Sequence, residues 1–303
     1  MEALQSTFPN AENRTAPPNG PEPQFVLKLS CAAEPGIVAA VTTVLAEQGA
    51  NIVETAQFWD RQSDRFFLRL AFLAPDGTDV ARIETALAPV KARFDMDMRL
   101  THTSRRPRIL IMVSRFDHAL LHLLYQVRVG WLDAEVVAIV SNHRDAKRVA
   151  DHEGLPFHLI PVSRATKPEA EARLLDLVEE TGAELVVLAR YMQVLSDDLS
   201  RRLSGRVINI HHSFLPSFKG AKPYHQAHER GVKLIGATAH YVTADLDEGP
   251  IIEQEAERIT HSMEPDDLVA VGRDIESRVL ARAVKMHLEG RVMPNGQRTV
   301  VFS

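Results

Sequence analysis

Asn209 and His211 stand two residues apart in Val207-Ile208-Asn209-Ile210-His211, a short β-branched run that reads as a buried strand. The period-two alternation of a strand points both polar side chains to one face. An amide beside an imidazole can donate hydrogen bonds to a developing oxyanion and shuttle a proton. The strand stops at the polar burst His211-His212-Ser213 and passes into a loop stiffened by Pro216 and closed by Gly220. The C-terminal end of such a strand is where open α/β sheets bind ligands. Asp247, in Asp245-Leu-Asp-Glu-Gly-Pro250, offers a carboxylate on a Gly-Pro turn that could orient the imidazole. Spacing alone also fits a structural role, since a strand-end histidine can serve as a core hydrogen-bonder.

The elements that must position these residues follow from the hydrophobic pattern. From Gln24 the order is strand (to Ser30), helix opened at Gly36, strand (Asn51–Phe58), polar turn (Trp59–Asp64), strand, helix to about Phe94, and strand (Met96–Thr101). The third strand alternates Phe66, Leu68, Leu70 and Phe72 with Phe67, Arg69 and Ala71, which predicts a half-buried antiparallel strand. This β-α-β-β-α-β order is the ferredoxin-like split unit. A basic, Pro-ended stretch, 102–107, reads as the linker to a second domain covering 108–303.

Beyond the linker the apolar runs become continuous, as in parallel strands buried on both faces: Ile109–Val113, Val136–Val140, Phe157–Ile160 and Leu185–Leu188. Helical segments separate them, one capped by Asp117 with Leu120, Leu121, Leu124 and Tyr125 as its stripe, another started by Ser196. The alternation predicts a Rossmann-like, mostly parallel α/β sheet. Two further strands, Ile235–Val242 and Ile251–Glu255, flank the acidic Gly-Pro loop, and a terminal helix runs from about Asp266 to Leu288.

Composition narrows the function class. The 303 residues carry a formal charge of −5, which speaks against a nucleic-acid partner. Cys31 is the only cysteine, so no intrachain disulfide forms and a cytoplasmic home is expected. No window approaches the roughly 18 apolar residues of a membrane helix. Residues 1–23 lack an apolar core and read as a disordered leader. After Val113 comes Ser114-Arg-Phe-Asp-His118 without a glycine, which disfavours a dinucleotide or phosphate loop. The pair His225 and His228 lacks the motif context of a zinc site, so no metal is expected.

Two resemblances sharpen the reading. Pro35-Gly36-Ile37-Val-Ala-Ala-Val and Gly49-Ala-Asn51-Ile52 resemble the ACT domain, a small module that often binds an amino-acid effector between paired copies. The resemblance implies effector contacts at Gly36, Ile37, Asn51 and Ile52 and a homo-oligomer. Ala33, however, stands where the usual pattern has Asp, so a ligand-free dimerisation module stays an equal alternative.

Ile208–His211, Leu215–Gly220, Gly236–Thr243 and Leu246–Pro250 resemble the formyltetrahydrofolate-dependent formyltransferase family. Leu188–Leu195, Ala221–His225 and Val271–Ala283 are similar to its deformylase branch, which also has an N-terminal ACT domain. This implies hydrolysis of 10-formyltetrahydrofolate to formate and tetrahydrofolate, with water as second reactant and no cofactor. Asn209, His211 and Asp247 would be catalytic. Pterin contacts would come largely from backbone in Met192, Gln193, Val194 and Leu195 and in Thr243, Ala244 and Asp245, with His240 in support. The related glycinamide ribonucleotide formyltransferase uses a glycine loop for its phosphorylated acceptor. Ser114–His118 in that place therefore favours hydrolysis. The alternatives are transfer to an amine, or a non-catalytic amino-acid or folate sensor.

Overall fold

The structure, a computed structural model, describes residues 24–213 and 223–302. The expected leader, 1–23, and the loop containing Pro216 and Gly220 lie outside the described residues.

The N-terminal unit runs β1 (Phe25–Ala32), α1 (Ile37–Glu47), β2 (Asn51–Asp60), β3 (Arg65–Leu73), α2 (Val80–Arg93) and β4 (Asp97–His102). Its strands form an antiparallel sheet in the order β2-β3-β1-β4. Alternate residues of β1 and β3, among them Leu27, Leu29, Leu68 and Leu70, pack against Ile37, Val41 and Leu45 of α1 and Ile83 and Leu87 of α2. That is the period-two face of the sheet meeting two helical stripes.

Two expectations need correction here. β2 continues through Trp59 and Asp60, so the turn is confined to 61–64. The Asp60 carboxylate explains the extension: it is buried and accepts from Ser63 Oγ (2.7 Å), Asn295 Nδ2 (2.7 Å) and Arg298 Nη2 (2.9 Å). These partners hold it at a pKa of about 2. Second, β3 is buried on both faces, because Phe67, Arg69 and Ala71 are covered. The cover is a C-terminal hairpin beyond the last predicted helix, whose Met293 and Val300, with the following Phe302, pack on Phe67.

The second unit contains β5 (Arg108–Val113), α3 (His118–Arg128), β6 (Glu135–Ser141), α4 (Lys147–Glu153), β7 (Phe157–Leu159), α5 (Lys167–Thr181), β8 (Leu185–Leu188), α6 (Asp197–Arg202), β9 (Val207–His211), α7 (Pro223–Glu229), β10 (Leu234–Tyr241), β11 (Ile251–Arg258) and α8 (Pro265–Leu288). The hairpin is β12 (Val292–Asn295) and β13 (Arg298–Val301). Strand order is β11-β10-β9-β8-β5-β6-β7, parallel from β9 to β7, with antiparallel β10 and β11 at one edge. One apolar cluster lies between the sheet, α3 and α8, and another lies under α5 and α6.

Ser196 caps α6, accepting from Leu199 N at 3.2 Å with extended backbone. Asp117 sits at the start of α3 in right-handed helical conformation, and its side chain makes no capping bond. The inward stripe of α3 is Ala119, Leu120, Leu123 and Leu124, while Leu121 and Tyr125 point outward. The reason is tertiary: α3 packs on both the sheet and α8, which rotates its buried face by a residue from the sequence pattern.

Candidate active site

The antiparallel register of β9 and β10 places Asn209 opposite His240 and His211 opposite Thr238. All four side chains therefore share one face of the sheet. Asn209 Nδ2 and His240 Nε2 are 3.2 Å apart. His240 Nδ1 lies 2.9 Å from the Tyr241 carbonyl oxygen, an acceptor only, so Nδ1 is protonated. Burial lowers the His240 pKa and keeps the ring neutral. Nε2 is then the acceptor for one Asn209 amide hydrogen. The second amide hydrogen has no acceptor among the described residues.

The loop after β10 brings in the carboxylate. Asp247 has φ 57°, left-handed backbone that costs a non-glycine residue energy. Gly249 follows in close contact with β10, and a Cβ there would sit 1.8 Å from Tyr241 O. This tight return places Asp247 Oδ1 3.3 Å from His211 Nδ1 and 3.8 Å from His240 Nε2. The hydrogen bond from His211 is the main reason the Asp247 pKa falls below the ordinary carboxylate range. Asp247 is thus an anion near neutral pH. With Nδ1 held by this carboxylate, His211 Nε2 is buried with no hydrogen-bond partner among the described residues. A buried ring nitrogen without a partner calls for an explanation, and a reacting polar atom supplies one.

Thr238 holds the end of β9 in place. Its hydroxyl donates to Ser213 O (3.1 Å) and accepts from Gln254 Nε2 (2.9 Å). Residues 192–195 leave the C-terminal end of β8. Tyr191, Gln193, Val194 and Leu195 line a narrow cavity of about 20 Å³ against α5, and Tyr191, Leu195 and Val242 pack on the sheet face that carries Asn209. Met192 and Val194 are exposed. Met192 N donates to Ser114 Oγ at 3.0 Å, and Ser114 Oγ donates to Asn142 Oδ1 at 2.7 Å. Ser114 therefore ties the segment to the ends of β5 and β6. Thr243, Ala244 and Asp245 form the outer arm of the Asp247 loop, with the Thr243 hydroxyl on Asp245 O (3.2 Å). The structure thus brings the two expected pterin segments to the face and edge where Asn209, His211 and Asp247 meet.

The proposed effector residues do not converge within one copy. Gly36, at φ 89°, and Ile37 open α1, whereas Asn51 and Ile52 follow its far end. An 11-residue helix separates them by roughly 16 Å. Ile37 is buried in the core. Among the described residues no group of three or more His, Cys, Asp or Glu is arranged to hold a metal, and no helix is long and apolar enough to cross a membrane.

Sequence reasoning missed a second polar cluster beside the site. Glu276 of α8 is 1% exposed and accepts from Tyr224 OH (2.7 Å), bonds His118 Nε2 (2.8 Å) and pairs with Arg190 Nε (3.3 Å). Arg190, at φ 64°, and Arg273 both lie over the Phe116 ring, at 5.9 and 5.2 Å. Tyr224 packs directly over Gly272, where a Cβ would meet its ring at 2.1 Å. His212, next to the cluster, is driven to a pKa of about 4, first by burial and then by Arg190. The loop that lacks a glycine is therefore filled by an aromatic ring, guanidinium groups and an internal carboxylate. A lone acid on the inward face of α8, near Gly272, was the available sequence signal.

A two-fold division of labour, with polar residues on a strand end of a formyl transferase-type sheet and a ferredoxin-like unit before it, defines the class. Residues 107–284 match the formyl transferase family and residues 24–101 match the ACT domain. The chain is 54% identical to the formyltetrahydrofolate deformylase of Corynebacterium sp. (strain P-1), over 92% of this chain and 98% of that one. It is 46% identical to the Bacillus subtilis deformylase, over 94% and 96%. The crystal structure of the Burkholderia mallei deformylase superposes with TM-score 0.90 at 54% identity, covering 93% of this chain and 100% of that one. Glycinamide ribonucleotide transformylase 1 from Symbiobacterium toebii matches less, with TM-score 0.62 at 30% identity over 68% of this chain and 98% of that one. The chain belongs to the formyltetrahydrofolate deformylase family.

Proposed function

We propose that this protein hydrolyses 10-formyltetrahydrofolate to formate and tetrahydrofolate, with water as the acceptor. The observation that supports it most is the buried His211 Nε2, without a partner among the described residues, beside the Asn209 amide, whose second hydrogen likewise has no acceptor among them, with Asp247 behind it. Water adds to the formyl carbon and the carbonyl oxygen becomes an oxyanion. Asn209 Nδ2–H and a protonated His211 Nε2–H hydrogen-bond that oxygen. Asp247 takes the proton released by water. When the C–N10 bond breaks, the proton returns to N10 and formate leaves. The pterin lies along 192–195 and 243–245, held mainly by backbone groups, and His240 fixes the Asn209 amide.

Transfer to an amine is the weaker reading. An acceptor bearing a phosphate needs open backbone donors after β5, and that place holds Phe116 stacked under two arginines and His118 committed to Glu276. The ACT unit serves a cytoplasmic homo-oligomer and senses an amino acid at contacts completed between copies. Strand β2 is an uncovered edge that exposes Val53, Phe58 and Trp59, suited to such pairing.

The direct test is purified protein with 10-formyltetrahydrofolate, with and without glycinamide ribonucleotide, following formate and tetrahydrofolate. Formate released in water alone supports the hydrolase. Tetrahydrofolate formed only when the amine is present would establish a transferase instead.

A further inference from the structure

The face of the N-terminal sheet turned away from α1 and α2 carries an unusual row. In register, Arg69 of β3 lies opposite Lys28 of β1, and Lys28 lies opposite Arg99 of β4. Three cations thus stand side by side on one face, about 5 Å from strand to strand. Directly opposed like charges destabilise a sheet. Arg69 is compensated by Glu54 at 3.0 Å, and Arg99 reaches Glu184 only at 3.8 Å. Lys28, the middle cation, makes no hydrogen bond or ion pair within the described residues.

The row opens into a cleft of about 1560 Å³ between the two units, walled by the linker and the end of α8. Eight Lys and Arg and four Asp and Glu line it. Across from Lys28, His287 Nδ1 shares a hydrogen bond with Tyr241 OH at 2.7 Å. Burial, with Lys28 and Arg99 adding to it, lowers the His287 pKa to about 3. Burial and Arg99 lower the Lys28 pKa as well. A folded chain that holds this many cations in a space of ligand size, with one of them unpaired, is electrostatically incomplete.

We propose that the cleft between the ACT unit and the catalytic unit binds a multivalent oxyanion, a phosphorylated or polycarboxylate small molecule, with Lys28 and Arg99 as its principal contacts. The ligand would lie against the sheet face, away from Gly36 and Asn51. It would also lie where β5, β8 and β9 begin, at the opposite end of the catalytic sheet from Asn209 and His211. It would bridge the two units and bind the folded state only, so thermal stability rises with the logarithm of its concentration above the dissociation constant.

The experiment is thermal unfolding of the full chain in pyrophosphate or citrate, with ionic strength held constant by sodium chloride. The expected result is a rise of several degrees in Tm at millimolar pyrophosphate, citrate or both, with no rise in chloride alone. Which probe acts tells a phosphorylated ligand from a polycarboxylate. Lys28→Met keeps the apolar stem and removes the charge; its Tm without anion should match or exceed that of the unaltered chain. Both Lys28→Met and Arg99→Gln should weaken the response by about tenfold in midpoint concentration. An unaltered chain that responds to neither probe overturns the proposal. So does an equal response in Lys28→Met. Neither readout depends on folate turnover.

Discussion

Asn209 and His240 share one rung of the β9–β10 pairing, with the amide nitrogen and the ring nitrogen 3.2 Å apart. The Tyr241 carbonyl settles the proton position on His240, and that position in turn settles which way the Asn209 amide faces. One hydrogen is spent inside the fold, and the other has no acceptor among the described residues.

His240→Phe should therefore lower kcat with little change in KM, because the Asn209 amide loses its orientation while residues 192–195 and 243–245 stay in place. Loss of a full oxyanion donor costs about 10²–10³ in rate, so misorientation of one should cost on the order of 10–10². His240→Gln, whose side-chain oxygen can still accept from Asn209, should recover part of the loss. Equal kcat in all three proteins would remove His240 from the mechanism.

Asp247→Asn keeps the size and removes the charge that accepts from His211. The rate should fall by about 10²–10⁴, the usual range for a positioned acid–base group. The pH profile adds a sign. Asp247 titrates below the ordinary carboxylate range, so activity lost through its protonation appears only in acid beyond that range. An acid limb in kcat/KM near pH 6 must then belong to another group.

Gly249→Ala probes the backbone that delivers the carboxylate. The added methyl cannot coexist with the Tyr241 carbonyl, so the loop must move away from β10. Activity should drop at least as far as in His240→Phe, while far-UV circular dichroism stays unchanged, since the loop lies outside the regular elements. An alanine variant with full kcat would show that Asp247 need not sit where the tight return places it.

Much of this architecture was legible in the sequence, for physical reasons. Continuous apolar runs separated by helical stripes mark a buried parallel sheet, and the polar end of Val207–His211 stands out against that background. Asn209 and His211 are two apart on one strand, so their shared face follows from chain geometry alone. The terminal hairpin leaves a weaker trace: its two-residue loop is Gly296-Gln297, with Gly296 at φ 63°, and only the second strand, Thr299-Val300-Val301, is a β-branched run, whereas the first is Val292-Met293-Pro294. With it came the second buried face of β3. The Glu276 cluster was not legible. His118, Arg190, Tyr224 and Glu276 lie on four separate segments and meet only through tertiary packing. Pattern rules that count spacing within one element cannot assemble such a group.

Acid should weaken the fold through buried imidazoles before it reaches the carboxylates. His287 and His212 have folded pKa values of about 3 and about 4, against 6.5 unfolded. Between those values the unfolded chain binds more protons, so stability falls as pH drops through that window. From pH 7 to pH 5 each histidine contributes a loss of about 2 kcal/mol. Urea midpoints at the two pH values measure it. His287→Gln should narrow the gap between them, and an unchanged gap would mean that His287 does not stay neutral in the fold.

The C-terminal hairpin should prove essential to the union of the two units. Phe302 is 8% exposed and packs with Met293 and Val300 on Phe67 of β3, while Asn295 and Arg298 grip Asp60. Phe302→Ala leaves a void on the outer face of the N-terminal sheet and should cost about 3–5 kcal/mol. The loss falls at the boundary between units, so urea unfolding should also separate into two steps, the N-terminal unit melting first. The folded variant should retain its kcat, since Asn209, His211 and Asp247 are anchored by β10 and the Gly249 turn. A single transition at the unaltered midpoint would show that the hairpin only decorates the sheet.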